Sequence, residues 1–172
     1  MEGVRLATED DISEITTLVT AARAELAPTR GGDLFLAREA RPDPIEPGLR
    51  ALLKGADCRL LAGTIDDTII GYAAGRVEVL RDARRLGVID DLFVESEARS
   101  VGVGEAMMGD LLAWFRDKGC MGVDATALPG NRATKNFFEG SGFTARLLVM
   151  HHRFTDPDPA AGAPPTDTGA DA

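Results

Sequence analysis

A chain of 172 residues, 44% hydrophobic and 27% charged, is long enough for one globular domain with a real core and needs no second one. Its formal charge of −9 argues against nonspecific binding to nucleic acid, whose phosphates demand clustered Lys and Arg, and it permits a cationic substrate. Cys58 and Cys120 stand far apart without metal-ligand spacing, and no stretch reaches the roughly 18 apolar residues of a membrane span, so disulfide framework, zinc site and membrane anchor are all unexpected.

The N-terminus has no basic region followed by an apolar run, which makes a soluble, cytoplasmic protein the expectation. Gly3 to Ala7 reads as a short strand, and Thr8-Glu9-Asp10-Asp11 as a capping signal. The helix that follows places Ile12, Ile15, Leu18, Val19 and Ala22 on one face, and Pro28 with the Arg30-Gly31-Gly32 turn ends it. The stretch up to Gly55 is punctuated by Pro42, Pro44 and Pro47; only Leu49 to Lys54 looks helical there. Such a segment either walls a pocket or merely connects.

From Cys58 the period becomes that of strands. Cys58 to Ile65 and Thr68 to Leu80 are joined by a tight Asp66-Asp67 hairpin, and the second strand is small-sided through Gly71, Ala73, Ala74 and Gly75. A third strand, Val88 to Val94, follows a charged loop. After the turn comes a helix with Met107, Met108, Leu111, Leu112 and Phe115 inward, closing at Lys118-Gly119. Met121 to Leu128 should form a further strand, Asn131 to Glu139 a short helix, and Phe143 to Phe154 a last strand. Residues 1–154 therefore make the domain. Residues 155–172, rich in Pro, Ala and Asp with no large apolar side chain, are expected to be a disordered acidic tail.

The turn between the third strand and the long helix carries the most information. Arg99-Ser100-Val101-Gly102-Val103-Gly104, leading into Glu105, places two glycines two residues apart beside a helix start. The backbone can approach a bulky anion there without Cβ interference, and the free N–H groups of the helix point at the same spot. A phosphate or pyrophosphate is the favoured guest.

In this context the chain resembles the GNAT superfamily of N-acetyltransferases. The family's turn, [Q/R]-x-x-G-x-[G/A], is matched by Arg99, Gly102 and Gly104 after the phrase Asp91-Leu92-Phe93-Val94-Glu95. Its second hallmark appears as Asn131-Arg132-Ala133 through Asn136-Phe137-Phe138-Glu139 to Gly142-Phe143. The close match covers residues 86–150, and the N-terminal half agrees only in element order. The resemblance implies an α/β fold: a mixed central sheet of about six or seven strands, about four helices, and a splayed strand pair holding the cofactor.

It also implies acetyl-CoA as co-substrate, no metal, and an amine acceptor on a small molecule or a peptide. The N–H groups from Ser100 to Glu105, including those of Val101 and Val103, would wrap the CoA pyrophosphate. Leu92, Phe93 and Val94 would pair with the pantetheine amides, Asn131 would bond the cofactor arm, and Phe137 or Phe138 would pack on it. Homodimers are a family habit and are not legible here.

Transfer needs a neutral amine, whereas alkyl amines have a pKa of about 10, so a proton must leave, and a carboxylate, directly or through a water, can accept it. Asp90 and Asp91 are the candidates, resembling the acidic pair of polyamine acetyltransferases, with Asp90 favoured. Adjacent on a regular strand, they would face opposite ways, so at most one looks into the cleft unless a bulge intervenes. Many relatives carry a tyrosine where this chain has Phe138, which cannot protonate the departing thiolate. Tyr72, the only tyrosine, Ser141 or a water could replace it.

His151 and His152 lack a partner at recognisable spacing and read as structural, and Arg84, Arg85, Arg132 and Lys135 as surface charges or 3′-phosphate contacts. The acceptor expected is a small cationic amine, with protein lysines, N-termini and antibiotic amines left open. An acyl-CoA-binding module without turnover is the rival reading, motivated by Phe138.

Overall fold

A computed structural model describes residues 1–154 of the chain; residues 155–172, expected to be the acidic tail, lie outside the described residues. Five strands form one mixed sheet in chain order. They are β1 (Glu2–Leu6), β2 (Cys58–Ile65), β3 (Thr68–Val79), β4 (Arg85–Val94) and β5 (Cys120–Ala125). The first four are joined antiparallel; β4 and β5 are parallel. That parallel pair needs a crossover, which α4 (Val103–Asp117) supplies. The other helices are α1 (Ile12–Leu26), α2 (Gly32–Arg38), α3 (Ile45–Lys54) and α5 (Arg132–Gly140).

Strand alternation divides the core into two layers. Leu60, Ala62, Tyr72 and Ala74 meet Ile12, Ile15, Leu18 and Val19 of α1 and Leu49 of α3. Leu61 and Ala73, the intervening residues, face Val103, Met107, Leu111 and Phe115 of α4. Small residues let α4 lie close: a Cβ on Gly87 would stand 2.6 Å from the Phe115 ring, so that glycine is the seat of a wholly buried aromatic. Truncating Phe115 to Ala would cost about 3–5 kcal/mol.

Entry into α1 follows its sequence signal. Asp11 accepts from the Thr8 N–H at 2.7 Å and from Arg5 at 2.6 and 2.8 Å, and these bonds hold its carboxyl down to about 2. The acidic hairpin forms as read, with Asp66 and Asp67 at φ 46° and 67°.

The fold differs from expectation in two places. Helix α2 forms although its flanks, Gly31-Gly32 and Pro42, read as breakers, and α3 starts four residues earlier than Leu49, giving five α-helices among the described residues rather than about four. The expected last strand does not form: residues 143–154 take no ladder partner among the described residues, so the sheet has five strands rather than six or seven. Strand propensity alone does not make a strand; pairing does. No helix among the described residues is long and apolar enough to cross a membrane.

Candidate active site

The parallel ladder between β4 and β5 runs from Arg85 opposite Cys120 to Ile89 opposite Ala125 and stops. Strand β5 ends there, while β4 continues through Val94. Among the described residues, Asp90 to Val94 thus have no strand on the β5 side. The resulting opening is a cleft of 360 Å³. Leu92, Phe93 and Val94 form its floor, Glu25 and Leu26 of α1 one wall, and Asn131 and Phe137 of α5 the other. An extended amide-bearing chain laid here would continue the ladder that β5 abandons.

At one end the cleft meets the start of α4. Gly102 stands before the helix at φ +87°, a conformation other residues adopt only under strain. Its carbonyl accepts the Ala106 N–H at 2.9 Å, which leaves the N–H groups of Val103, Gly104 and Glu105 ahead of the first helical bond. They carry the positive end of the helix dipole. Gly104 and Glu105 line the cleft itself. Ser100 and Val101 lie in the turn, and the Val103 side chain is buried in the core, so its contribution is its amide alone. These residues fit a pyrophosphate through backbone donors.

Arg99 is placed differently from a simple phosphate ligand. Its Nε donates to the Val94 carbonyl at 2.8 Å, a second nitrogen to Glu25 at 2.6 Å, and the guanidinium lies 5.5 Å from the Phe93 ring centre. It ties the turn to β4 and to α1 along the cleft wall.

At the other end lie the carboxylates. Opposite β4, Ala74 pairs with Asp91 and Gly75 with Ile89, so Asp90 is the extra residue of a β-bulge. The side-chain phase flips across it: Ile89 faces the α4 layer, but so do Leu92 and Val94, whereas Phe93 faces α1. Both Asp90 and Asp91 consequently line the cleft, the case that the expectation of a single inward carboxylate reserved for a bulge.

Their environments differ. Burial pushes the Asp90 carboxyl up, against the pull of Arg76, whose Nε donates to it at 3.1 Å. Asp91, with its side chain 15% exposed, is bonded by the Arg41 guanidinium and by the Tyr72 hydroxyl at 3.4 Å. Tyr72 is buried; that burial, with the Asp91 charge, pushes its phenol well above its usual range, so it stays protonated. The two carboxylates also border an annex of 180 Å³ completed by Glu39, Arg41 and Pro42.

On α5, Asn131 lines the cleft and its side-chain oxygen accepts the Thr134 N–H at 3.1 Å, capping the helix. Phe138 is buried, its ring centre 5.9 Å from that of Phe137 and 5.3 Å from that of Phe143. Ser141 spends its hydroxyl on the Phe137 carbonyl. Arg84, Arg85 and Lys135 are paired with Asp82, Asp57 and Glu139, and His151 and His152 are exposed and lie outside the cleft. Sequence reasoning missed Arg41, Glu39 and Glu25: none sits in a motif, and Arg41 meets Asp91 only through the fold.

Residues 21–143 match the family described as the acetyltransferase (GNAT) family. The chain belongs to that family. Family membership makes it an acetyl-CoA-dependent N-acetyltransferase. It is similar to a glucosamine 6-phosphate N-acetyltransferase of Trypanosoma brucei brucei, 30% identical over 105 residues, 55% of this chain and 69% of that one. Glucosamine 6-phosphate N-acetyltransferase 1 of Oryza sativa subsp. japonica is 30% identical over 139 residues, 73% of this chain and 81% of that one. In fold it resembles a tetramutant of the BH1408 protein of Bacillus halodurans, with TM-score 0.76, 20% identity, and 88% and 99% of the two chains covered.

Proposed function

We propose that the chain moves the acetyl group of acetyl-CoA to the primary amine of a small cationic compound, with Asp90 as the proton acceptor. The observation that carries this reading is the cleft left where β4 outruns β5, with backbone donors at one end and two carboxylates at the other. The cofactor supplies the activated acetyl group. The N–H groups of Val103 to Glu105 hold its pyrophosphate, the free edge of Leu92 to Val94 bonds its amide-bearing arm, and Asn131 and Phe137 flank that arm.

A protonated amine entering the carboxylate end is attracted by Asp90, Asp91 and Glu39. Asp91 is committed to Arg41 and Tyr72, so it orients. Asp90, its carboxyl raised by burial, is the better proton acceptor. Tyr72, held neutral, is the proton donor available to the departing thiolate in place of Phe138. A thiolate, with reference pKa of about 8.5, tolerates an inefficient donor.

The acceptor end favours a cation without phosphate. Among the described residues lining the annex Arg41 alone is basic, and it is already bonded to Asp91. The test is release of CoA thiol from acetyl-CoA against polyamines, glucosamine, glucosamine 6-phosphate, aminoglycosides and lysine peptides. Turnover greatest on unphosphorylated small polycations is expected. A preference for glucosamine 6-phosphate would overturn the acceptor reading, and tight acetyl-CoA binding with no turnover on any amine would restore the module without catalysis.

A further inference from the structure

The two carboxylates of the cleft are each held by an arginine, and the two arginines are held unlike one another. Arg41 reaches Asp91 with a side chain only 11% exposed, and it bonds no other carboxylate among the described residues. Arg76 of β3 divides itself: its Nε donates to Asp90 at 3.1 Å while a terminal nitrogen donates to Glu78 at 3.2 Å. Its side chain is 43% exposed and that of Glu78 49%. A guanidinium carries five N–H donors in a rigid fork, so it can serve two carboxylates at once, and each then holds less of its charge. Water replaces a bond in such an exposed pair at little cost, which a buried pair does not permit.

The fold builds this sharing. Tyr72, Ala74, Arg76 and Glu78 alternate onto one face of β3; the first two are buried in the α1 layer and the last two emerge beyond it. In the ladder Arg76 stands opposite Val88 and Glu78 opposite Leu86, while Asp90, the extra residue of the bulge, has no β3 partner and reaches Arg76 with its side chain. The other charged or titratable groups about Asp90 are Asp91 on its own strand, Arg41 and Glu39 across the annex, and the Cys58 thiol of β2. Arg41 spends its charge on Asp91. Burial raises the Asp90 carboxyl, and Arg76 is the chief influence against it.

We propose, on the reading of Asp90 as the proton acceptor, that Glu78 is a positioning residue: it shares Arg76 with Asp90 and keeps the guanidinium when Asp90 takes a proton from the acceptor ammonium. In that step an N–H bond of the ammonium breaks, its electron pair stays on nitrogen, and the proton forms an O–H bond on Asp90. A neutral carboxyl holds a guanidinium less strongly than a charged one, so Arg76 shifts toward Glu78 without being left unpaired. It returns to Asp90 when the proton passes on to water. Asp91, fixed by a dedicated and buried arginine, has no such second station for its cation, which separates the roles of two adjacent aspartates.

The test is a carbon-13 NMR titration of the Asp90 carboxyl in the full chain, its signal assigned by its loss in Asp90→Asn. Arg76→Gln should raise the protonation constant of Asp90 by about two- to fivefold, and Glu78→Gln should lower it by a similar factor, the range that partly exposed ion pairs supply. Because Glu78 acts through Arg76, Glu78→Gln should move the titration far less when added to Arg76→Gln. The acid limb of thiol release from acetyl-CoA, read with glucosamine and with spermidine, should follow the carboxyl: upward in pH for Arg76→Gln and downward for Glu78→Gln. A merely structural role would lower activity at every pH and leave the limb in place. Shifts in the same direction, no shift, or an equal effect of Glu78→Gln with and without Arg76 would each overturn the proposal. An acid limb that persists in Asp90→Asn would instead overturn Asp90 as the proton acceptor, a failure that the carboxyl titration tells apart from the other.

Discussion

Residues 86–138 and residues 27–55 border the candidate site by opposite means. The first segment offers backbone: a ladder that stops, an edge left free, a helix start preceded by a left-handed glycine. The second offers side chains, chiefly Arg41 and Glu39, with Arg41 brought to Asp91 across fifty residues of chain. Backbone recognition imposes a local spacing that any sequence using it must display. Side-chain recognition built over long separation imposes none, and it is free to vary with the acceptor.

The sharpest way to break that contrast is to disable each half alone. Asp90→Asn, at the carboxylate end that Glu39 and Arg41 border, should lower kcat/KM by about 100- to 10,000-fold while leaving acetyl-CoA affinity unchanged by calorimetry. The same variant should erase the acid limb of the pH profile. In the unaltered enzyme that limb should lie above the ordinary carboxylate range, because burial raises the Asp90 carboxyl and the proposed proton transfer requires it ionised.

Gly104→Glu attacks the backbone half and should weaken acetyl-CoA binding by about 100-fold or more, about 2.7 kcal/mol, through a carboxylate set where the phosphates belong. Gly104→Ala is the control. Its Cβ would sit 3.5 Å from the Phe137 ring and 3.7 Å from Val94, ordinary contact, and affinity should change less than about threefold. Equal losses in the two variants would mean the site needs the space rather than the absence of charge.

A third substitution lies outside both halves. Asp11→Asn should cost about 2 kcal/mol at pH 7, since the carboxyl stands at about 2 in the folded chain against an ordinary value of 3.8. With a depressed folded pKa the contribution is full above the unfolded value and fades as the pH falls through about 2. Urea melts of both proteins should therefore converge in acid. The smallest effect expected is that of Tyr72→Phe, about two- to tenfold in kcat, because the hydroxyl contributes one long bond to Asp91 and an assisting proton.

How much of this was legible follows the same division. The turn at Arg99 to Gly104, the α4 stripe of Met107, Leu111 and Phe115, and the acidic hairpin at Asp66-Asp67 all lie where their short patterns place them, because each is enforced by neighbours in sequence. The α2 helix was hidden by the glycines and prolines around it, which end helices locally but do not forbid a short one between them. Arg41 was hidden because its partner, adjacent in space, stands fifty residues away in sequence. The strand expected at Phe143 to Phe154 has the right composition and takes no ladder partner among the described residues, and composition alone cannot report pairing.

The extra residue at Asp90 is where β4 carries more chain than its pairing with β3 needs. Deleting it would close the bulge, because Ile89 and Asp91 already pair with the neighbours Gly75 and Ala74; Phe93 would stay toward α1, and Leu92 and Val94 toward α4. A library of single-residue deletions along β4 should therefore show its smallest loss of folded protein at Asp90, while acetyl transfer falls with the lost carboxylate.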